Sequence, residues 1–246
     1  RHEYSVKDDI ESLGFDAVSA LKQANPGLSL GNHFSEIMLY SFLECSLQAP
    51  KIMSKFELDS ASKKFKSSSA GIHLLPSGDL SLKNHQLAFG ASHILNDLNS
   101  AIDNAFLQVI DIKNNMDNEI SIVEGSIFNN TFDPLTSDFL KEILIPNKSS
   151  TPRPDTSFGI FLGYSISLFG TESLNNTLLA AEITKRMQND ILGCIPYIQY
   201  KISKLSLTGH SFYFYVLPLI DAENDKDNIM NSAIGEIIWL NQDIKH

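Results

Sequence analysis

The sequence predicts an α/β fold, a mixed central β-sheet flanked by helices. Three observations carry this prediction. Apolar residues recur at helical spacing up to about residue 47, and the pattern then becomes strand-like over Lys51–Leu58, Ala70–Leu75 and His85–Ser92. Pro76-Ser77-Gly78-Asp79 is a strong turn signal and joins the last two of these strands as a hairpin. Beyond the hairpin, strand-like runs alternate with segments long enough to be crossover helices, which points to parallel pairing within the same sheet.

Taken in order, Tyr4 to Gln23 carries Ile10, Leu13, Phe15, Val18 and Leu21 at helical spacing and closes at Asn25-Pro26-Gly27. A second helix is expected from about Asn32 to Leu47, with Phe34, Ile37, Met38, Phe42 and Leu43 apolar and Pro50 beyond its end. Lys51–Leu58 reads as a strand through Ile52, Met53, Phe56 and Leu58, followed by a Ser/Lys-rich loop or strand edge over Ser60–Ser69. After the hairpin, Leu95–Ile112 reads as a helix with Leu98, Ile102, Ala105, Phe106 and Val109 on one face. Asp111–Arg153 is polar and Asn-rich, with a short helix near Ser137–Ile145 and a linker-like stretch at Pro146–Pro154. Ser157–Leu168 has the near-continuous apolar character of a buried central strand. A helix over Glu172–Leu192, continuing past Pro196 with a break, leads to a buried strand at Phe212–Leu219 and a closing helix at Asp225–Leu240. The linker-like stretch separates elements that need one another to complete the sheet. A single α/β domain over residues 1–246 follows, with an N-terminal helical segment at 1–30 and the core at 31–240.

The chain of 246 residues has 43% hydrophobic residues, enough for a real core. With 19 Lys and Arg against 29 Asp and Glu, the net charge is −10, which argues against free-standing DNA binding. No apolar run reaches the roughly 18 residues of a membrane span, and the charged N-terminal stretch is not signal-like. Cys45 and Cys194 lack metal-type spacing and read as buried thiols of a reducing cytoplasm.

The element order is also that of the PD-(D/E)XK nuclease core, in which a hairpin carries Asp on one strand and Glu-x-Lys on the next. The carboxylates of that core hold Mg²⁺ or a similar ion near the scissile phosphate, and the Lys stabilises charge. The segments GNHFSEIMLYSFLE (Gly31–Glu44), PKIMSKFEL (Pro50–Leu58), AGIHLL (Ala70–Leu75), FGASHILNDLNSAIDNAF (Phe89–Phe106), FGIFLGYSI (Phe158–Ile166) and HSFYFYVLPLIDAENDK (His210–Lys226) resemble the HamA-type family. Its members include the nuclease subunit of the Hachiman anti-phage system and the anti-phage protein AbpA. The resemblance covers Gly31 to Ile238. It implies a bacterial antiviral defence subunit with a PD-(D/E)XK nuclease-like core, working with a superfamily 2 helicase and meeting DNA mainly through that complex.

The sequence departs from the family pattern where the chemistry would lie. The Asp position matches Ala70, in Ala70-Gly71-Ile72-His73. The Glu and Lys positions match Ala91 and His93, in Gly90-Ala91-Ser92-His93. Alanine cannot bind a metal, and His does not replace a permanently charged Lys. The departures fit a natural member with a decayed or rebuilt site, an engineered inactive form, or an alignment offset by a residue or two; Lys to His is an unusual knockout, which disfavours the second. A rebuilt site would use Glu36, His73 and His93 as catalytic and metal-binding residues, since imidazole and carboxylate suit Zn²⁺ or Mn²⁺. The same residues also fit a plainer role, His73 as a hydrogen-bonded strand histidine and Glu36 as a surface or capping residue. Mg²⁺ or Mn²⁺ is the expected cofactor if catalysis is retained.

Lys51, Lys55, Lys63, Lys64 and Lys66 form the basic concentration next to this site. They suit either nucleic-acid contact or a charged strand edge that resists aggregation. Gly159, Gly163 and Gly170 do not form a nucleotide fingerprint, and no Walker A sequence exists, so ATP use belongs to a partner. Asp221–Asp227 reads as the acidic first turn of the last helix rather than a calcium loop. The expected function is thus a cytoplasmic anti-phage subunit acting with a helicase on DNA, with altered or lost metal-binding carboxylates. The alternatives are a non-enzymatic subunit that binds the helicase, an active metal-dependent DNase with a rebuilt Glu/His site, and an unrelated α/β enzyme.

Overall fold

A computed structural model describes residues 31–61, 66–75, 85–128, 134–144 and 155–243, without the side chains of 32, 128, 143 and 234–243. The expected N-terminal helix, the Pro76–Asp79 turn, the Pro146–Pro154 linker, Lys63 and Lys64 lie outside the described residues. The elements run α1 (Gly31–Leu47), β1 (Lys51–Ser54), α2 (Lys55–Ala61), β2 (Gly71–Leu75), β3 (Gln86–Ile94), α3 (Leu98–Phe128), α4 (Pro134–Leu144), β4 (Asp155–Ser165), α5 (Asn176–Lys204), β5 (Ser211–Leu219) and α6 (Ala222–Asp243).

The five strands form one mixed sheet in chain order, β1-β2-β3-β4-β5. The pairs β1–β2 and β2–β3 are antiparallel, while β3–β4 and β4–β5 are parallel. The two parallel joins need crossovers, which α3 with α4, and then α5, supply. An α/β fold with a mixed sheet is therefore observed.

Strand alternation sorts the core onto two faces. Leu87, Phe89 and Ala91 of β3 and Phe158, Ile160 and Leu162 of β4 pack with Ala101, Ile102, Ala105, Phe106 and Val109 of α3. On the other face, Ile94 and Phe161 pack with Leu39 and Leu43 of α1 and Ala222 of α6. The paired glycines Gly90 and Gly159 let α1 come this close, because a Cβ at either would lie 2.8 Å from a leucine methyl of α1.

Three elements differ from the expected pattern. The segment read as a strand over Lys51–Leu58 is a strand only to Ser54, and α2 begins at Lys55. Ser54 and Glu57 cause the switch. The Glu57 carboxylate accepts the Ser54 N–H at 2.6 Å, and the Ser54 hydroxyl accepts the Glu57 N–H at 3.2 Å, a reciprocal capping box. Next, α3 continues to Phe128 through the Asn-rich stretch, since Ile112, Val123 and Ile127 keep the buried stripe going. Finally, α5 runs from Asn176 to Lys204 with Pro196 inside it, and Asn175 caps its start by accepting the Leu178 N–H. Cys45 is exposed and Cys194 half-buried, both free, so the expectation of two buried thiols holds for neither in full.

Candidate functional site

Strand β3 outruns β2. The hairpin register pairs Ile72 with Phe89, and the backbone contact continues to the Ala70 N–H, which donates to the Gly90 carbonyl at 2.8 Å. From Ser92 to Ile94, β3 pairs on its other side only, with β4. The space left beside it is a pocket of about 510 Å³. Ser35 and Glu36 of α1, Lys55 of α2, Ser92 and His93 of β3, Gln108 of α3 and Lys226 of α6 line it.

Gln108 takes the place of the missing strand. Its Oε1 accepts the Ser92 backbone N–H at 3.1 Å, and its Nε2 donates to the Ser68 carbonyl at 2.7 Å. The free edge of β3 is thereby tied to the segment that leads into β2. On the opposite side, the Ser92 and Ser35 hydroxyls meet at 3.0 Å and join the strand to α1.

His93 projects to the α3 face, where its ring lies beside the Gln108 side chain, and its Nε2 is buried without a partner among the described residues. Burial is the main reason its pKa is lowered; Lys55 and Lys226 push the same way, against the Gln108 side chain. The ring is held toward its neutral form. Glu36 lies 3.4 Å from the Lys55 ammonium and 3.2 Å from His33 Nδ1. Burial acts to raise its pKa, but the His33 hydrogen bond and the Lys55 charge outweigh it and hold the carboxylate below its ordinary range.

The structure brings Glu36 and His93 to this pocket and places His73 elsewhere. His73 pairs with Ala88, five residues before His93 on β3, which is about 16 Å at roughly 3.3 Å per residue. It also faces the other side of the sheet. Its ring packs against Tyr40 of α1 at 5.5 Å between centroids, and its Nδ1 contacts the Ala49 carbonyl at 2.9 Å. His73 is fully buried, and burial lowers its pKa. Its Nε2 is buried without a partner among the described residues. Among the described residues, no group of three or more His, Cys, Asp and Glu converges to hold a metal.

Ala70 and Ala91 are both fully buried, on opposite faces. Ala70 packs in the α1 cluster and Ala91 in the α3 cluster. Side chains at these positions do not converge on one point. Of the lysines, Lys55 lines the pocket, while Lys51 lies over the Tyr40 ring and 3.8 Å from Glu57, and Lys66 is exposed.

Sequence reasoning passed over Gln108, Ser35, Lys226 and Glu119. Gln108 had a signal, a polar residue on the Ala101, Ala105 and Ile112 stripe of a helix. Glu119 is a fully buried carboxyl on α3 that accepts the Ser67 hydroxyl at 2.6 Å and the Ser69 N–H at 3.4 Å, anchoring the segment before Ala70. Burial pushes its pKa up, more than the hydrogen bonds from Ser67 and Ser69 pull it down.

The family model for HamA matches residues 3–233. The chain belongs to the HamA family. No match came from the curated proteins or from the solved structures. HamA-family membership suggests a defence-related role. No helix among the described residues is long and apolar enough to cross a membrane.

Proposed function

We propose that this HamA-family chain is a bacterial anti-phage subunit with a PD-(D/E)XK nuclease-like core that works with a superfamily 2 helicase on DNA and has lost metal-dependent cleavage. The observation that carries this reading is the donor set at the end of β3. A Mg²⁺ or Mn²⁺ centre of the nuclease type needs converging carboxylates. Ala70 and Ala91 offer no donor atoms and face opposite ways. Of the two carboxylates that line the pocket, Glu36 already has a resident cation in Lys55, and Asp111 is exposed. These residues do not fit the ion.

What remains is a polar pocket lined by two ammonium groups, Lys55 and Lys226, and two carboxylates, Glu36 and Asp111, with Glu36 paired to Lys55. That set suits a supporting contact to a phosphate, not a continuous track along a backbone. Together with a net charge of −10, it fits a chain that binds DNA weakly alone and relies on the helicase for most phosphate contacts.

The test is incubation with plasmid and single-stranded DNA in Mg²⁺ and in Mn²⁺, with and without the helicase. The expected result is a stable helicase complex and no cleavage in any condition. Cleavage that disappears in His93→Ala would instead establish an active, rebuilt enzyme, and failure to bind the helicase would remove the partner from the reading.

A further inference from the structure

The last strand of the sheet is open. β5 pairs with β4 along its length and with no other strand among the described residues. Its backbone groups alternate between the two sides. The Leu219 carbonyl accepts the Ile166 N–H at 2.9 Å, so the odd-numbered residues of β5 bond to β4. The even-numbered ones point outward. At the ends of this outward row the donors are already spent: the His210 N–H goes to the Leu207 carbonyl, Pro218 has none, and the Ile220 N–H goes to the Asp225 carboxylate at 3.1 Å. Three outward N–H groups have no partner among the described residues, on Phe212, Phe214 and Val216, evenly spaced and centred on Phe214.

Such a row is its own complement. When two copies meet antiparallel about a two-fold axis at Phe214, Phe214 faces Phe214, and Phe212 faces Val216 in both directions. Every outward N–H then finds an outward carbonyl. Tyr213 falls opposite Tyr215 on the other sheet face, giving aromatic cross-strand pairs. From Ser211 to Leu219 no residue carries a formal charge, so two chains of net charge −10 approach here without local repulsion. The cover over this strand is thin: every residue of β5 after Ser211 stays half-exposed, and α5 buries none of its own residues. Long, uncharged, apolar edges are ordinarily blunted in natural sheets; this one carries no charge, and its one proline, Pro218, lies near its end.

We propose that β5 is the self-association edge of this protein, pairing antiparallel with β5 of a second copy about Phe214 to make one sheet continuous through two chains. The pairing explains why Pro218 is tolerated, since its missing N–H falls just outside the paired row.

Sedimentation velocity of the full chain over a range of concentrations tests the proposal. The expected result is a concentration-dependent dimer that Val216→Pro weakens at least tenfold, because proline removes an outward donor and spares the β4 ladder. Val216→Thr, which keeps the N–H and the shape, leaves the dimer in place. Should Val216→Pro fail to fold, brief photo-oxidation of the wild-type chain serves in its stead, with a Tyr213–Tyr215 dityrosine link expected in the dimer-mass fraction. A wild-type monomer at every concentration, a dimer indifferent to folded Val216→Pro, or a dimer without that link overturns the proposal. So does an edge that is filled only by a different protein.

Discussion

The two sides of the sheet have been treated differently. At the β1–β3 side the free edge is blunted. β1 is short, carries a bulge between Lys51 and Met53, and presents Lys51 at its rim. Where β3 outruns β2, Gln108 covers the exposed Ser92 N–H. At the β5 side, three N–H groups in an uncharged aromatic strand point away from the sheet. The contrast teaches that where β3 outruns β2 the bare backbone donor is met by a side chain of this same chain, while the far edge keeps three outward N–H groups with no partner among the described residues.

The largest expected effect comes from the depth of packing on each side. Phe89→Ala on the buried β3 should cost about 3–5 kcal/mol in chemical denaturation. Phe214→Ala on half-exposed β5 should cost clearly less in the monomer. Equal losses would remove the contrast. Next is Gln108→Ala, which strips the Ser92 N–H and the Ser68 carbonyl of a shared partner in a half-buried site. A loss of about 1–3 kcal/mol is expected from the unpaired groups. A change near zero would mean that water replaces the glutamine and that the edge is not sealed by it.

Two carboxylates on the sealed side give opposite pH dependences. Glu119 has its folded-state pKa raised above the ordinary 4.5, chiefly by burial. Its contribution is therefore full below about that ordinary value and is lost as pH rises through the raised one. Glu36 has its pKa lowered; against burial, the His33 hydrogen bond and Lys55 prevail. Its contribution is present above the ordinary value and is lost as pH falls through the lowered one. Urea midpoints measured across pH should flatten on the alkaline side in Glu119→Gln and on the acid side in Glu36→Gln, and the reverse assignment would refute both. The smallest effect is at Lys51, whose exposed pair with Glu57 at 3.8 Å should make Lys51→Ala cost no more than about 0.5 kcal/mol. A larger cost would give the β1 rim a structural weight that its geometry does not supply.

The order of elements was legible because β4 and β5 are apolar runs of strand length and α3 starts on a clean helical stripe. The switch at Ser54 was not read, although Ser54-Lys55-Phe56-Glu57 carries its own capping box, because Phe56 and Leu58 also fit a strand period. The extent of α3 was hidden by the polar composition of Asn114, Asn115, Asp117 and Asn118, which lie around the continuing stripe rather than on it. For the site, Glu36, Lys55 and His93 could be placed beside one another from the nuclease-like element order. His73 could not be excluded that way, because the relative register of two hairpin strands is invisible without the turn, and a residue's face depends on it. Lys226 and Glu119 come from distant segments, with no local pattern to mark them.

Amide hydrogen exchange, read residue by residue at low and high protein concentration, probes both edges at once. The account predicts that the Ser92 amide, covered by Gln108, is protected to the same degree at both concentrations. The amides of Phe212, Phe214 and Val216 should exchange quickly when dilute and become protected when concentrated. Rapid exchange at Ser92, or exchange at the three β5 amides that ignores concentration, would contradict the claim that one edge is sealed from within and the other is completed by a second copy.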